Sequence, residues 1–166
     1  MTGRIDYAEF VERFGGIYEH SPWVAEQCCE QAAGVRQPLE LAGLFARCVD
    51  DADMDRKLAL IRAHPDLAGK AAIRGDLTAA SSAEQASAGI DQCTPAEYRQ
   101  FQSCNQQYRD KFGFPFVMAV RDSNRQEILA AFERRLQNGY DAELNAAIQE
   151  IHKIARLRLA AMSAEL

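Results

Sequence analysis

Signals that start and stop helices recur along the whole chain, and they limit its possible folds more than any other feature does. The run Thr94-Pro95-x-Glu97 joins a capping residue, a first-turn proline and a reciprocal glutamate, which is typical of a helix start. We expect this helix to end at Gly113, because glycine commonly follows the last helical turn. Further starts are predicted at or directly after Asp6, Ser21-Pro22, Pro38, Asp53, Ser81, Ser123 and Asp141. The chain is therefore expected to form about eight helices.

One segment alone is expected to be extended. Residues Phe114 to Val120 form an apolar run after a glycine, whereas Asp66 to Ala80 are small and mixed and predict a loop with a short helix. A single strand cannot form a sheet, so the predicted fold class is all-α. The length of 166 residues suits one domain, and no repeat or linker divides the chain. Residues 1–166 are therefore predicted to form a single-domain bundle of helices.

The charge balance argues against two classes of partner. A formal net charge of −5 and a pI near 5.2 disfavour binding to nucleic acid through phosphate neutralisation. No apolar run approaches the roughly 20 residues of a membrane span, and Met1 to Phe10 lacks the apolar core of a secretory signal. We therefore expect a cytoplasmic protein. The overall charge still permits a local basic pocket for a small anion.

The cysteines and histidines do not predict a metal site. The five cysteines include no Cys-x-x-Cys pair, which favours reduced thiols in a reducing compartment. The three histidines, His20, His64 and His152, are far apart and do not occur in a His-Glu-x-x-His pattern. We therefore expect no bound metal, and no motif for an organic cofactor is evident.

The last predicted helix carries one charge in an otherwise apolar stripe. The stripe is spaced by fours and threes and consists of Leu144, Ile148, Ile151, Ala155, Arg158 and Met162. A guanidinium cannot lose its proton to escape burial, so a buried Arg158 needs an anionic partner. The structural interpretation is a pair with an Asp or Glu of the protein, and the functional one is a bidentate clamp for the carboxylate or the ureido carbonyl of a substrate. Alternatively, the side chain reaches past the helix end to solvent.

His64 is predicted to lie at a helix C-terminus, because Pro65 disfavours helical backbone at the residue before it. The negative end of the helix dipole favours the protonated ring, which suits a general acid near neutral pH. The same position also suits a structural histidine that bonds to an unpaired backbone carbonyl. The residues alone leave both interpretations open.

Two further segments have both a structural and a functional interpretation. Ser81-Ser82-Ala83-Glu84 fits a capping box, and a helix start offers unpaired N–H groups to an anion, with Gln85 as a neutral donor and acceptor. The stretch Gly113 to Met118 is either core packing after a helix stop or a pocket wall that presents backbone groups to a planar ligand.

These segments together resemble the OHCU decarboxylase family, whose substrate is 2-oxo-4-hydroxy-4-carboxy-5-ureidoimidazoline. The resemblance is carried by Phe10 to Trp23, His64-Pro65-Asp66-Leu67-Ala68-Gly69-Lys70, Ser81 to Gln85, Phe112 to Val117 and Glu150 to Leu159. It covers nearly the whole chain in the right order. It implies an all-helical, cofactor-free, homodimeric enzyme of urate degradation that forms (S)-allantoin and CO₂. Ala164-Glu165-Leu166 is not a peroxisomal address, which fits a bacterial member.

The resemblance also implies roles for individual residues. His64 is expected to transfer a proton, with Glu84 and Arg158 completing the catalytic set. The expected substrate-binding residues are Pro65, Ser81, Ser82, Ala83, Gln85, Phe116, Val117, Met118, Ala119 and Val120. Two other functions stay open, namely a lyase or hydrolase for another ureido compound, and a helical interaction module in which Arg158 is paired structurally.

Overall fold

The structure, a computed structural model, describes residues 6–164 and is built from helices. Its nine α-helices within that range are α1 (Tyr7–Phe14), α2 (Trp23–Cys28), α3 (Leu41–Asp50), α4 (Met54–Arg62), α5 (Lys70–Arg74), α6 (Ala79–Ser87), α7 (Pro95–Phe112), α8 (Arg125–Arg135) and α9 (Tyr140–Ala164). Short 3₁₀ turns occur at Pro38–Glu40 and Ile90–Gln92. Residues 6–164 contain no strand, so the all-α prediction is confirmed. The predictions that involve residues 1–5 and 165–166 lie outside the described residues.

The described chain separates into two compact units. We call residues 6–63 and 151–164 the terminal unit, and residues 64–150 the central unit. The expectation of one domain over residues 1–166 stays a prediction. Every helix in the described range falls short of the length or the apolar character that a membrane span demands.

Apolar helix faces form the core of the terminal unit. On α3, Leu41, Phe45 and Val49 are spaced by four residues and are buried, because this spacing places them on one face of the helix. The ring of Phe45 makes edge contacts with Phe10 and Tyr18, at centroid distances of 6.4 and 6.3 Å. Burying an aliphatic or aromatic side chain contributes roughly 1.5–3 kcal/mol, so this cluster holds α1 against α3.

Aromatic rings form the core of the central unit. Tyr108 on α7 contacts Phe112, Phe114 and Phe116 at centroid distances of 4.6, 5.9 and 5.3 Å. The ring of Phe116 also stacks on Phe132 of α8 at 3.8 Å. Residues 114–120 form neither helix nor strand, and most of them are buried. The predicted extended run is therefore a buried connection that fills the core between α7 and α8.

Side-chain caps confirm several of the predicted helix starts. Asp6, Asp53 and Thr94 each accept a hydrogen bond from the backbone N–H three residues later. The Glu97 side chain in turn accepts a hydrogen bond from the Thr94 N–H at 3.1 Å, so both halves of the capping box are present. Gly113 ends α7 with a φ of +77°, a conformation that glycine adopts without strain.

The predicted start of α6 is wrong. The helix begins at Ala79, because Thr78 is its cap and accepts a hydrogen bond from the Ser81 N–H at 3.2 Å. Threonine caps a helix nearly as well as serine, and the two alanines that follow favour helix, so the helix starts earlier than the serines indicate. Glu84 consequently lies in the second turn and does not cap the helix.

Two other predicted caps are also wrong. The Ser21 hydroxyl donates to the Glu19 carbonyl at 2.9 Å, and α2 begins without a side-chain cap. Asp141 lies inside the first turn of α9, which begins at Tyr140. An acidic side chain in the first turn interacts favourably with the helix dipole. Asp141 therefore still favours a helix start at this point, although it does not cap the helix.

Candidate functional site

His64 begins a short and tightly closed segment, which we call the His64 loop (residues 64–69). The residue follows the C-cap of α4, as predicted, and it is buried, with 6% of its surface exposed. Pro65 restricts the backbone before it to extended conformations. Ala68 adopts a left-handed φ of +53°, and a Cβ on Gly69 would lie 2.7 Å from the Cβ of Asp66. The loop therefore tolerates little change of shape.

Gln85 of α6 binds the His64 loop with both ends of its side-chain amide. Its Oε1 accepts from the Ala68 N–H at 3.1 Å, and its Nε2 donates to the Asp66 carbonyl at 3.3 Å. The residue is buried. The structure thus assigns this predicted substrate-binding residue a role that the sequence did not suggest, which is to hold the backbone after His64.

Three side chains of α7 bind the same loop from a second helix. Gln102 Nε2 donates to the Ala68 carbonyl at 2.7 Å, and Asn105 Nδ2 donates to the Leu67 carbonyl at 2.9 Å. One turn further along α7, Arg109 Nη2 donates to the Asp66 carboxylate at 2.8 Å. The spacings of three and four residues place these donors on one face of α7.

Sequence reasoning missed these α7 residues, although one of them carried a usable signal. The buried stripe of α7 consists of Phe101, Asn105, Tyr108 and Phe112, spaced by fours and threes. Asn105 is the one polar residue in that stripe. A polar side chain inside an apolar stripe is the signal that singled out Arg158 on the last helix, and it applies equally to Asn105.

The predicted residues of α6 divide between two faces of the helix. Ser81 and Gln85 are buried four residues apart, whereas Ser82 and Ala83 are exposed. Glu84 is half-buried. The Ser81 N–H bonds to the Thr78 hydroxyl and the Ser82 N–H to the Thr78 carbonyl, so these two N–H groups near the helix start are already paired. An anion site at this helix start stays a prediction.

A buried ion pair fixes the backbone of the predicted pocket wall. Arg135 Nη1 donates to the Val117 carbonyl at 2.6 Å, and its Nε donates to Glu143 at 2.8 Å. The Glu143 carboxylate also accepts from the Tyr108 hydroxyl at 2.6 Å. Burial, and then this hydrogen bond, raise the pKa of Tyr108. Along the wall, Phe116, Val117 and Val120 are buried, and Met118 and Ala119 are half-buried.

Arg158 belongs to the terminal unit and has an anionic partner there. Its Nη2 donates to Glu19 at 2.8 Å, and its Nη1 donates to the carbonyls of Gly16 and Ile17, both at 3.3 Å. The Glu19 side chain is 1% exposed and that of Arg158 is 10% exposed. The predicted need for an anion is therefore met by the protein, as the structural interpretation expected. A contact between Arg158 and a substrate stays a prediction.

The other predicted site residues all lie in the central unit, where α7 connects them. Asn105 contacts the His64 loop, and Tyr108 packs against Phe116 in the wall. Gln85 joins α6 to the same loop. The loop, the buried face of α6 and residues 116–120 are therefore parts of one connected network.

Most of the cysteine thiols are poorly suited to nucleophilic chemistry. All five are free, and burial raises the pKa of Cys28 to about 12. Burial also raises the pKa of Cys29, Cys93 and Cys104. The reactive thiolate forms of these four residues are therefore scarce near neutral pH. Within residues 6–164, no group of His, Cys, Asp and Glu side chains is arranged to hold a metal ion.

Comparisons with known proteins agree with one another. A family model described as OHCU decarboxylase matches residues 4–160. The 2-oxo-4-hydroxy-4-carboxy-5-ureidoimidazoline decarboxylase of Haloferax volcanii is 47% identical over 160 residues, which are 96% of this chain and 92% of that protein. A uric acid degradation bifunctional protein of a Bacillus species is 40% identical over 152 residues, covering 92% of this chain and 29% of that protein.

A solved structure is also similar. A crystal structure of (S)-allantoin synthase matches with a TM-score of 0.74 and 35% sequence identity. The match covers 95% of this chain and 50% of that one, so the chain spans half the length of that synthase. The similarity thus includes both the terminal and the central unit.

Proposed function

The chain belongs to the OHCU decarboxylase family, and on that basis we propose that it converts 2-oxo-4-hydroxy-4-carboxy-5-ureidoimidazoline (OHCU) to (S)-allantoin and CO₂. As a member of that family it is an enzyme, a carboxy-lyase of urate degradation. The observation that carries the proposed reaction is the 47% identity to a protein of that name over 96% of the chain. The alternative of a helical interaction module does not explain why almost the whole chain matches a decarboxylase.

The proposed substrate carries its own electron sink, so we propose that no cofactor takes part. The carbon that bears the carboxylate also bears a hydroxyl and adjoins a C=N bond. When the C–C bond breaks, its electron pair moves into the C=N bond, whose nitrogen takes up a proton as CO₂ leaves. The enol-like product then tautomerises to allantoin. The protein has to orient the breaking bond and deliver the last proton to one face.

His64 is proposed to move the hydroxyl proton or to stabilise the charge that develops beside it. Imidazole is the side chain whose ordinary pKa lies nearest neutrality, which suits proton transfer in both directions. His64 is buried, and hydrogen bonds from two helices fix its loop. Glu84, half-buried on α6, is proposed to orient the substrate ring or to relay a proton.

The remaining residues of the central unit are proposed to bind the ring and the ureido arm. These residues are Pro65, Ser81, Ser82, Ala83, Gln85, Phe116, Val117, Met118, Ala119 and Val120. The bond from Arg135 to the Val117 carbonyl supports a rigid wall, because it fixes that backbone from the core side. An amide nitrogen carries two hydrogens, so Gln85 can hold the His64 loop and still donate to a ligand.

Arg158 is proposed to bind the ureido or ring carbonyl of the substrate. A strong grip on the leaving carboxylate would stabilise the ground state and slow the loss of CO₂. The pairing with Glu19 supports the assignment, because the glutamate offsets the positive charge. The guanidinium has five N–H donors in a planar fork, which suits a neutral oxygen acceptor as well as an anion.

We further propose that the enzyme is a cytoplasmic homodimer. The family resemblance supports the dimer, and free thiols support a reducing compartment. Its partner is proposed to be the small-molecule substrate, with neither nucleic acid nor membrane involved.

The proposed reaction and the role of His64 are tested together by the variant His64→Ala. OHCU is generated in the cuvette by the two preceding activities of the pathway, and the enantiomers of allantoin are followed by circular dichroism. Uncatalysed OHCU gives racemic allantoin, so the rate of (S)-product in excess is the measurement. We expect the variant to lose about 100-fold or more of that rate, the usual contribution of a proton-transfer group.

Lys70→Ala is the matched control, since Lys70 is exposed and directly follows the His64 loop. We expect it to retain the wild-type rate. A loss below about tenfold in His64→Ala would contradict the proton-transfer role. Turnover of another ureido compound, with none of OHCU, would overturn the substrate assignment itself.

A further inference from the structure

Three consecutive backbone carbonyls of the His64 loop each accept a hydrogen bond from a side-chain amide. The donors lie on α6 and α7, and the three bonds measure 2.7 to 3.3 Å. Loops usually run over the surface, where water satisfies their backbone groups. Here side chains from two helices replace that water, and they hold the backbone directly after His64.

Asn105 is the most informative of the three donors. Its neighbours in the buried stripe of α7 are aromatic, and only 5% of its own surface is exposed. The Nδ2 atom reaches the Leu67 carbonyl, but Oδ1 is buried and has no hydrogen-bond partner among residues 6–164. A buried acceptor without a donor lowers stability, so an apolar residue would serve the core better. The asparagine is explained by the loop that it holds.

We propose that Asn105 is a positioning residue for His64 and that it acts through the Leu67 carbonyl. The ring of Pro65 fixes one of the few backbone torsions between the imidazole and that carbonyl. On the other side of Leu67, the backbone of Gly69 lies so close to Asp66 that a Cβ would not fit between them. A shift of Leu67 is therefore transmitted to His64. This inference rests on the proposed function, in which His64 transfers a proton.

The variant Asn105→Leu tests the proposal, because leucine keeps the branching of asparagine and removes the donor. We expect kcat for OHCU to fall about tenfold, since small displacements of a catalytic group have effects of this order. We expect KM to change less than about twofold, because most of the residues that are proposed to bind substrate lie outside the His64 loop. Gln107→Leu is the control on the exposed face of the same helix, where the amide bonds to Ser103, and its kcat is expected to be unchanged.

A double-mutant cycle with His64→Ala separates positioning from a general effect on the fold. If Asn105 acts through His64, then Asn105→Leu causes no further loss of kcat once the imidazole is absent. An equal loss in both backgrounds would overturn the proposal. Normal activity of His64→Ala would overturn the proposed proton transfer and this inference together. A loss in His64→Ala with none in Asn105→Leu would overturn this inference alone.

Gln102→Leu keeps the test decisive if Asn105→Leu does not fold. Gln102 is half-buried and bonds to the next carbonyl of the loop, so its loss should disturb the fold less. We expect a fall in kcat of about threefold that also disappears in the His64→Ala background. An unchanged kcat in this folded variant would count against the proposal.

Discussion

Each compact unit contains a half-buried arginine that pairs with a buried glutamate and also donates to the backbone. In the central unit, Arg135 binds Glu143 at 2.8 Å and the Val117 carbonyl at 2.6 Å. In the terminal unit, Arg158 binds Glu19 at 2.8 Å, but its two bonds to carbonyls both measure 3.3 Å. The carboxylates are almost equally buried, at 0% and 1% exposed. The pairs therefore differ in the length of these bonds between the arginine and the backbone.

The Glu143 carboxylate is the centre of a hydrogen-bond network. Its carboxylate accepts from Tyr108 at 2.6 Å and from Asn138 at 2.9 Å, in addition to Arg135. The raised pKa of Tyr108 keeps its hydroxyl a donor near neutral pH. Such a satisfied network rigidifies a core. The bonds from Arg158 to the Gly16 and Ile17 carbonyls are longer and individually weaker, which favours the contact with substrate that we propose for its guanidinium.

Removing Glu143 is expected to have the largest effect. Glu143→Ala leaves the charge of Arg135 buried without its carboxylate, and breaking a buried pair in this way costs about 3–5 kcal/mol. We expect the free energy of unfolding, measured by urea titration, to fall by that amount. The double variant Glu143→Leu with Arg135→Met should recover most of the loss, because no charge remains buried. A double variant as unstable as Glu143→Ala would show that charge burial is not the cause.

Replacing each arginine by methionine tests whether Arg158, unlike Arg135, has the role in binding substrate that we propose. We expect Arg158→Met to lower kcat/KM for OHCU about 100-fold, as the loss of one preorganised donor often does. We expect Arg135→Met to lower it less than about tenfold, with its main effect on stability. Both values are corrected for the folded fraction, measured by circular dichroism. Equal losses in the two variants would assign Arg158 to structure alone.

Local signals made most of the fold predictable. The caps at Asp6, Asp53 and Thr94 depend on atoms within three residues of one another, so the sequence contains all that forms them. The sequence predicts the start of α6 at the wrong residue, because Thr78 and Ser81 are both suitable caps. The two alanines between them favour helix, so the helix begins after Thr78.

The site was predictable only in part, because its contacts join distant residues. Arg158 was identifiable as a charge that needs an anion, but Glu19 lies 139 residues away, and nothing local marks it as the partner. The bond from Asn105 to Leu67 spans 38 residues and ends on a backbone carbonyl, which has no sequence identity. A polar residue in an apolar stripe can thus be recognised from sequence, whereas its partner requires the fold.

A third ion pair, Arg125 with Glu97, is more exposed than the other two. We therefore expect its loss to lower the stability of the fold the least. The side chains are 25% and 17% exposed, and Arg125 also donates to the Gly89 carbonyl at 2.7 Å. The Thr94 N–H, and then Arg125, lower the pKa of Glu97. Since the folded pKa lies below the unfolded value of about 4.3, Glu97 stabilises the fold above that pH. Its contribution is lost as the pH falls through the folded pKa.

Glu97→Gln isolates this charge, because glutamine can still accept the hydrogen bond from the Thr94 N–H. We expect its urea midpoint to lie below that of the wild type at pH 7, and the two midpoints to converge as the pH falls below about 4. Glu133→Gln removes an exposed carboxylate of α8 and serves as the control, with no such convergence expected. If the urea midpoint of Glu97→Gln lies below that of the wild type by the same amount at pH 7 and below about pH 4, the charge of Glu97 does not stabilise the fold. The pair would then act through packing alone, unlike the two less exposed pairs.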